Sequence, residues 1–250
     1  MKPLRVAWRA WRVFVHLLRG LATIVWRFPR LTPAGRDARV QAWSAAMLLR
    51  LGVTLEVSGT PPVVGPMLLV CNHVSWLDII VLHAAHHCRF VSKADVGRWP
   101  IVGRLATGAG TLYIERSSRR DAMRVVHDMV QALRDGDILM VFPEGTTGDG
   151  AALLPFHANL IQAAISAPAP VQPVALRYLD RHGNTSQAAS YIGDESLVGS
   201  IWRLLGSDGM RAVVFFGEPE RASGRDRRSW ARDLHDAVEG LLQRVQRGVV

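Results

Sequence analysis

The sequence predicts an α/β fold: a mostly parallel sheet flanked by helices, preceded by an amphipathic helical element suited to a membrane surface. Three observations predict it. Short runs rich in β-branched and aromatic residues alternate along the chain with stretches of helical periodicity. Several of those runs, such as Met67–Cys71 (MLLVC) and Ile138–Phe142 (ILMVF), are apolar without a break, the pattern of strands covered on both faces. The first fifty residues carry ten Lys or Arg and one acid, Asp37, so they hold the whole net charge of +9, and the remaining two hundred residues balance.

Residues 4–28 place Arg5, Arg9, Arg12 and Arg19 at roughly helical spacing among Trp8, Trp11, Phe14, Leu18 and Trp26. The uncharged stretches on either side of Arg19 are too short to span a bilayer, and no small-residue cleavage site follows. A basic, Trp-rich helix fits an interfacial anchor, with guanidinium groups toward anionic headgroups and indoles at the interface. Packing on the protein's own body is a second reading of the same pattern, and a single tilted span carrying Arg19 is a third, disfavoured because a mid-bilayer Arg costs about 3 kcal/mol or more. Residues 34–51 follow as a second helix with Val40, Trp43, Met47, Leu48 and Leu51 on one side. Strands are then expected near 53–58, 67–71, 89–92, 111–114, 138–142, 172–177 and 212–216. Helices are expected near 76–87, 98–107, 118–135, 156–167, 196–205 and 228–246, with loops at Gly59–Pro62 and Asp180–Gln187. This divides the chain into a membrane-association helix, 1–33, and a single domain, 34–250, long enough to bury a core without disulfides or metals. Cys71 and Cys88 lie in or beside apolar runs and read as buried thiols of a reducing compartment.

In parallel sheets, ligands bind outside the carboxyl ends of the strands. Three polar clusters stand there. The first is Asn72-His73-Val74-Ser75-Trp76-Leu77-Asp78 after the MLLVC run. Residues five apart do not share a helix face, so His73 falls in the turn and Asp78 in the first turns of the helix. Folded back, Asp78 can accept from one imidazole nitrogen and leave the other as a general base. The alternative is a helix start capped by Asn72 or Ser75, with Asp78 favoured there by the helix dipole. The second cluster, GTLYIERSS at 110–118, ends a strand in Arg116, suited to an anionic group, or simply to a surface ion pair. The third, FPEGTTGDG at 142–150, presents Glu144 in a glycine-rich turn. That carboxylate can take hydroxyls and the turn's N–H groups can take an oxyanion, or the segment is a plain turn.

Together and in this order, the clusters resemble the glycerophospholipid acyltransferase family that includes lysophosphatidic acid acyltransferases. NHVSWLD matches the family's Asn-His-x4-Asp block, GTLYIER its second block, FPEGT its third, and the VQPVAL strand its fourth, with one residue inserted before Pro173. The resemblance covers roughly residues 38–220. It implies transfer of a fatty acyl group from acyl-CoA or acyl carrier protein to the free hydroxyl of a lysolipid such as 1-acyl-sn-glycerol-3-phosphate, in phospholipid biosynthesis. His73 would be the base and Asp78 its orienter. Lys93, Arg116, Glu144, Gly145, Thr146 and Thr147 would contact substrate, and Pro173 would shape the site floor or its oxyanion side. No metal or bound cofactor is implied, and His83, His86, His87 and Cys88 are not expected to hold an ion. The resemblance also implies a place on the cytoplasmic face of the inner membrane, monotopic or held by a single N-terminal anchor. Lysophosphatidic acid enzymes usually have Arg where this chain has Thr147, and FPEGTTGDG is more similar to lyso-ornithine lipid acyltransferases.

Two other classes are weighed against this reading. A lipid hydrolase would need a nucleophile turn of the Gly-x-Ser-x-Gly kind, which the sequence lacks. A non-catalytic membrane- or nucleic-acid-binding module would use the basic leader alone, and the charge-neutral body argues against nucleic acid.

Overall fold

The computed structural model describes residues 2–114 and 119–248. Two helices come first, α1 (Lys2–Trp26) and α2 (Pro33–Leu51), joined by a 3-10 turn at Phe28–Arg30. Thr32 caps α2 by accepting from the Gly35 N–H, and Gly52 ends it in the left-handed region (φ 79°) that favours glycine. The rest alternates: β1 (Val53–Gly59), β2 (Met67–Cys71), α3 (Leu77–Ala85), β3 (Arg89–Lys93), α4 (Ala94–Gly97), α5 (Val102–Gly108), β4 (Leu112–Ile114), α6 (Arg119–Arg134), β5 (Ile138–Val141), α7 (Ala158–Ser166), β6 (Val171–Leu179), α8 (Leu197–Gly206), β7 (Met210–Phe216) and α9 (Arg227–Gln246). Every strand and helix expected from the sequence is present to within a few residues. The expected helix at 98–107 is the exception. The chain forms the short α4 first, turns at Pro100, and starts α5 only at Val102, because proline has no N–H to continue a helical ladder.

The seven strands form one sheet in the order β1-β7-β6-β2-β5-β3-β4. The pairs β6–β2, β2–β5, β5–β3 and β3–β4 are parallel. β7 runs antiparallel to β6 and parallel to β1, so one edge of the sheet is reversed. Side chains alternate between two cores. Leu69, Cys71 and Met140 face a cluster built with Met47, Leu51, Leu77, Leu82 and Leu204 of α2, α3 and α8. Leu68, Val70, Leu139 and Val141 face another built with Met129, Leu133, Ile161, Trp230 and Leu234 of α6, α7 and α9. Each such aliphatic or aromatic side chain, fully buried, contributes about 1.5–3 kcal/mol.

α1 packs on this body with one face. His16 and Trp43 stack at 4.9 Å and exchange two hydrogen bonds, ring to backbone in each direction. Gly20 sits where a Cβ would lie 2.7 Å from the Trp43 indole nitrogen, so only glycine allows this approach. The leader's basic residues divide. Arg5 and Arg9 reach the α8 terminus, bonding the carbonyls of Leu205, Gly206 and Ser207 that a helix end leaves unsatisfied, while Arg12, Arg19 and Arg27 are exposed. The expectation that the arginines act together toward headgroups therefore does not extend to Arg5 and Arg9. The opposite face of α1 exposes Trp8, Trp11, Phe14, Leu18 and Trp26. Among the described residues, no helix is long and apolar enough to cross a membrane.

Candidate active site

The site forms where β2 and β5 end side by side, against the middle of β6. Val70 pairs with Val141 and Cys71 with Val174, so the segments after β2 and β5 leave the same edge of the sheet as neighbours. Asn72 extends the strand with its side chain: the amide donates to the Leu176 carbonyl at 2.9 Å and accepts from the Leu176 N–H at 2.8 Å. His73 then turns off the sheet. Its ring stacks on Phe142 at 4.0 Å, and its side chain keeps 19% of its surface exposed.

Asp78, at 0% exposure, organises the turn. One carboxylate oxygen lies 2.8 Å from His73 Nδ1 and also accepts the N–H groups of Val74 and Ser75, at 2.7 and 2.9 Å. The other oxygen accepts from the Tyr178 hydroxyl at 2.7 Å. Four donors replace the water a buried carboxylate has lost. An ionised Asp78 only accepts, so the proton between them sits on Nδ1, and Nε2 is left with its lone pair. Burial first, and the Asp78 charge second, push the Tyr178 phenol well above its usual pKa, so it remains a donor. Cys71 beneath the site is raised well above the thiol range by burial, so it is neither thiolate nor nucleophile.

Glu144 links the two loops. Its oxygens accept from the His73 N–H at 2.6 Å and the Leu154 N–H at 2.8 Å. Burial raises its pKa, and those two N–H groups oppose the shift. Gly145 closes the turn at φ 74°, with its N–H on the Phe142 carbonyl at 3.1 Å, and the Gly148 N–H reaches the His73 carbonyl at 2.8 Å. A cavity of about 210 Å³ opens beside the turn, walled by His73, Glu144, the 148–153 segment, Arg177 of β6 and Glu239, Gln243 and Gln246 of α9.

A family model described as "Acyltransferase" matches residues 54–177, the span that contains the His73–Asp78 pair and the Glu144 turn. A lyso-ornithine lipid O-acyltransferase of Pseudomonas aeruginosa is 38% identical over 97% of this chain and 95% of its own length. The chain belongs to the acyltransferase family. A 1-acyl-sn-glycerol-3-phosphate acyltransferase of Neisseria gonorrhoeae is 34% identical over 84% of this chain and 83% of its own. The crystal structure of the 1-acyl-sn-glycerophosphate (LPA) acyltransferase PlsC from Thermotoga maritima shares the fold, with a TM-score of 0.71 at 17% identity over 97% of this chain and 96% of that one.

In this acyltransferase the other residues singled out by sequence fall in different places. Lys93 is exposed at the end of β3, and Thr146 is exposed at the turn. The Thr147 hydroxyl donates to the Tyr191 carbonyl at 2.5 Å. Pro173 is buried in β6 opposite Val70, its carbonyl accepting from the Gly217 N–H at 2.9 Å. None of these four lines the cavity. Arg116 lies outside the described residues. His83 is buried edge-on to Phe90, and burial lowers its pKa to about 3. Among the described residues, His83, His86, His87 and Cys88 do not bring three ligand atoms together; the group that does is His235, Asp236 and Glu239 on the outside of α9. Sequence reasoning missed Asn72 as a strand mimic, Tyr178 as the fourth donor to Asp78, and Arg177. The available signal was the polar pair Arg177-Tyr178 ending the apolar run Pro173–Leu176.

Proposed function

We propose that this acyltransferase moves a fatty acyl group from an acyl-CoA or acyl carrier protein thioester to the free hydroxyl of a lysolipid, with His73 as general base. The observation that carries this reading is an imidazole fixed by a buried carboxylate through Nδ1, while Nε2 makes no hydrogen bond among the described residues. In this reading the acceptor hydroxyl is the nucleophile. Its O–H proton passes to Nε2 while the oxygen attacks the thioester carbonyl carbon. The tetrahedral adduct collapses, the C–S bond breaks, and the imidazolium returns its proton to the departing sulfur. Asp78 orients the ring and stabilises its cationic form, and Glu144 is a positioning residue that holds the His73 turn against the 142–150 loop. No metal or bound cofactor has a part in this sequence of steps.

For the acceptor, the relatives' names offer 1-acyl-sn-glycerol-3-phosphate and lyso-ornithine lipid. That Thr147 is a neutral hydroxyl turned onto the Tyr191 carbonyl favours the lyso-ornithine acceptor, because no guanidinium stands at that position for a phosphate. Purified protein given labelled acyl-CoA or acyl carrier protein should acylate one of the two lysolipids, lyso-ornithine lipid with the higher kcat/KM. Free fatty acid as the product, with no acylated lipid, would sink the transfer reading.

We place the enzyme on the cytoplasmic face of the inner membrane, monotopic and held by α1. Its exposed Trp8, Trp11, Phe14 and Trp26 lie among exposed Arg12, Arg19 and Arg27, and Val198 and Trp202 of the adjoining α8 are exposed as well. Cations near an anionic surface contribute roughly 1 kcal/mol each, and indoles settle at the interface. Replacing Trp8 and Trp11 together by alanine should weaken sedimentation with phosphatidylglycerol-containing vesicles at least about tenfold, the equivalent of 1.4 kcal/mol. Unchanged partition would exclude α1 as the anchor.

A further inference from the structure

Arg177 is an anomaly in its strand. Of the nine residues of β6 it is the one not fully buried, and it is the strand's single charge. Its neighbours Leu176 and Tyr178 join the core under α3, whereas Ala175 and Leu179 face α9, so by alternation Arg177 projects to the α9 side. There it lines the cavity that His73 and Glu144 also line. Its Nε is buried without a hydrogen-bond partner, and among the described residues no carboxylate or carbonyl pairs with its guanidinium. Burial alone lowers its pKa. A partly desolvated cation that, among the described residues, makes no ion pair is unfavourable in the free protein, even with the Glu144 and Glu239 residues elsewhere in the cavity wall. Such a residue makes physical sense where a ligand brings the missing charge.

The cavity's size limits what that ligand can be. At about 210 Å³ it falls below the roughly 300–1,000 Å³ of pockets that enclose drug-sized molecules. It has room for a charged headgroup. The amides of Gln243 and Gln246 stand in its α9 wall as further donors.

We propose that Arg177 is the specificity-determining anchor for the acceptor's anionic group: its guanidinium takes the phosphate or carboxylate of the lysolipid headgroup in the cavity beside His73. This rests on the acyl-transfer reading above and names the group that selects the acceptor. Phosphate oxyanions are also carried by the thioester donor, so the experiment separates the two sources.

Full-length wild type, Arg177→Gln and Arg177→Lys are assayed in mixed micelles with acyl-CoA and three acceptors: lysophosphatidic acid, lyso-ornithine lipid and neutral monoacylglycerol. Arg177→Gln should raise KM for the anionic acceptor in use at least about tenfold, a loss of one charge-assisted contact worth about 1.4 kcal/mol or more. The kcat, the donor KM and the rate with monoacylglycerol should stay within about twofold, and Arg177→Lys should recover part of the loss. The melting temperature of Arg177→Gln should hold or rise, because no partner is left unpaired; a fall of several degrees would assign Arg177 a structural role instead. A rise in donor KM with acceptor KM unchanged would overturn the proposal, as would no change in either. Binding of sn-glycerol 3-phosphate, followed by calorimetry, keeps the test independent of turnover. His73→Ala should bind this probe like wild type, and Arg177→Gln should not. If the probe binds in this pattern but no acceptor is acylated, the anion subsite stands and the transfer reading falls. If wild type does not bind it, the subsite falls.

Discussion

Replacing His73 with alanine should lower acyl transfer from labelled acyl-CoA by about 10²–10⁴-fold, the range general-base catalysis supplies, while the protein stays folded. The structure supports both halves of this expectation. The ring donates one of the four hydrogen bonds to Asp78, and the Val74 and Ser75 N–H groups and the Tyr178 hydroxyl remain to satisfy the carboxylate. The His73 N–H on Glu144 is a backbone group that the substitution keeps. Transfer at wild-type rate by a folded His73→Ala protein would remove the imidazole from the mechanism. Circular dichroism on the same sample guards against a trivial loss through unfolding.

Asp78 gives the other large effect, and two substitutions separate its structural and chemical parts. Asp78→Ala deletes the acceptor for two backbone N–H groups, a ring N–H and a buried phenol at once. Breaking a buried network of this kind costs about 3–5 kcal/mol, visible as a large drop in the denaturant midpoint. Asp78→Asn can turn its amide oxygen to the same three N–H donors, and its NH2 meets the Tyr178 oxygen, which can accept as well as donate. Stability should therefore fall by only about 1–2 kcal/mol. If His73 is the base proposed above, activity should still fall about 10²-fold or more, because a neutral amide would not stabilise the imidazolium of that step. If Asp78→Asn were as active as wild type, Asp78 would be a turn former and nothing else.

The pairing of these two side chains was legible in the chain because it is local. Asn72 to Asp78 is one turn between a strand and a helix, and five residues bring a carboxylate back onto an imidazole whatever the rest of the protein does. The FPEGTTGDG turn was legible for a similar reason, since Gly145 adopts a backbone conformation that few other residues reach. The role of Glu144 was harder to read. Sequence presents it as a carboxylate at a strand end, free to bind substrate. Packing turns both its oxygens onto backbone N–H groups, one of them 71 residues away at His73. Thr147 follows the same course, its hydroxyl drawn to Tyr191.

The alternation of strands and helices, the covered central strands and the turn that brings Asp78 onto His73 are written in local sequence, because periodicity, capping and short loops act over a few residues. The reversed edge of the sheet is set by long-range packing, since a buried strand has the same apolar run whichever way it points. The same packing sets which arginines of α1 meet α8 rather than solvent, brings the Tyr178 hydroxyl to Asp78 from a hundred residues away, and leaves Arg177 at a cavity without a bonded partner among the described residues. Those are long-range contacts, fixed when the core closes, and no local pattern records which donors and acceptors will meet.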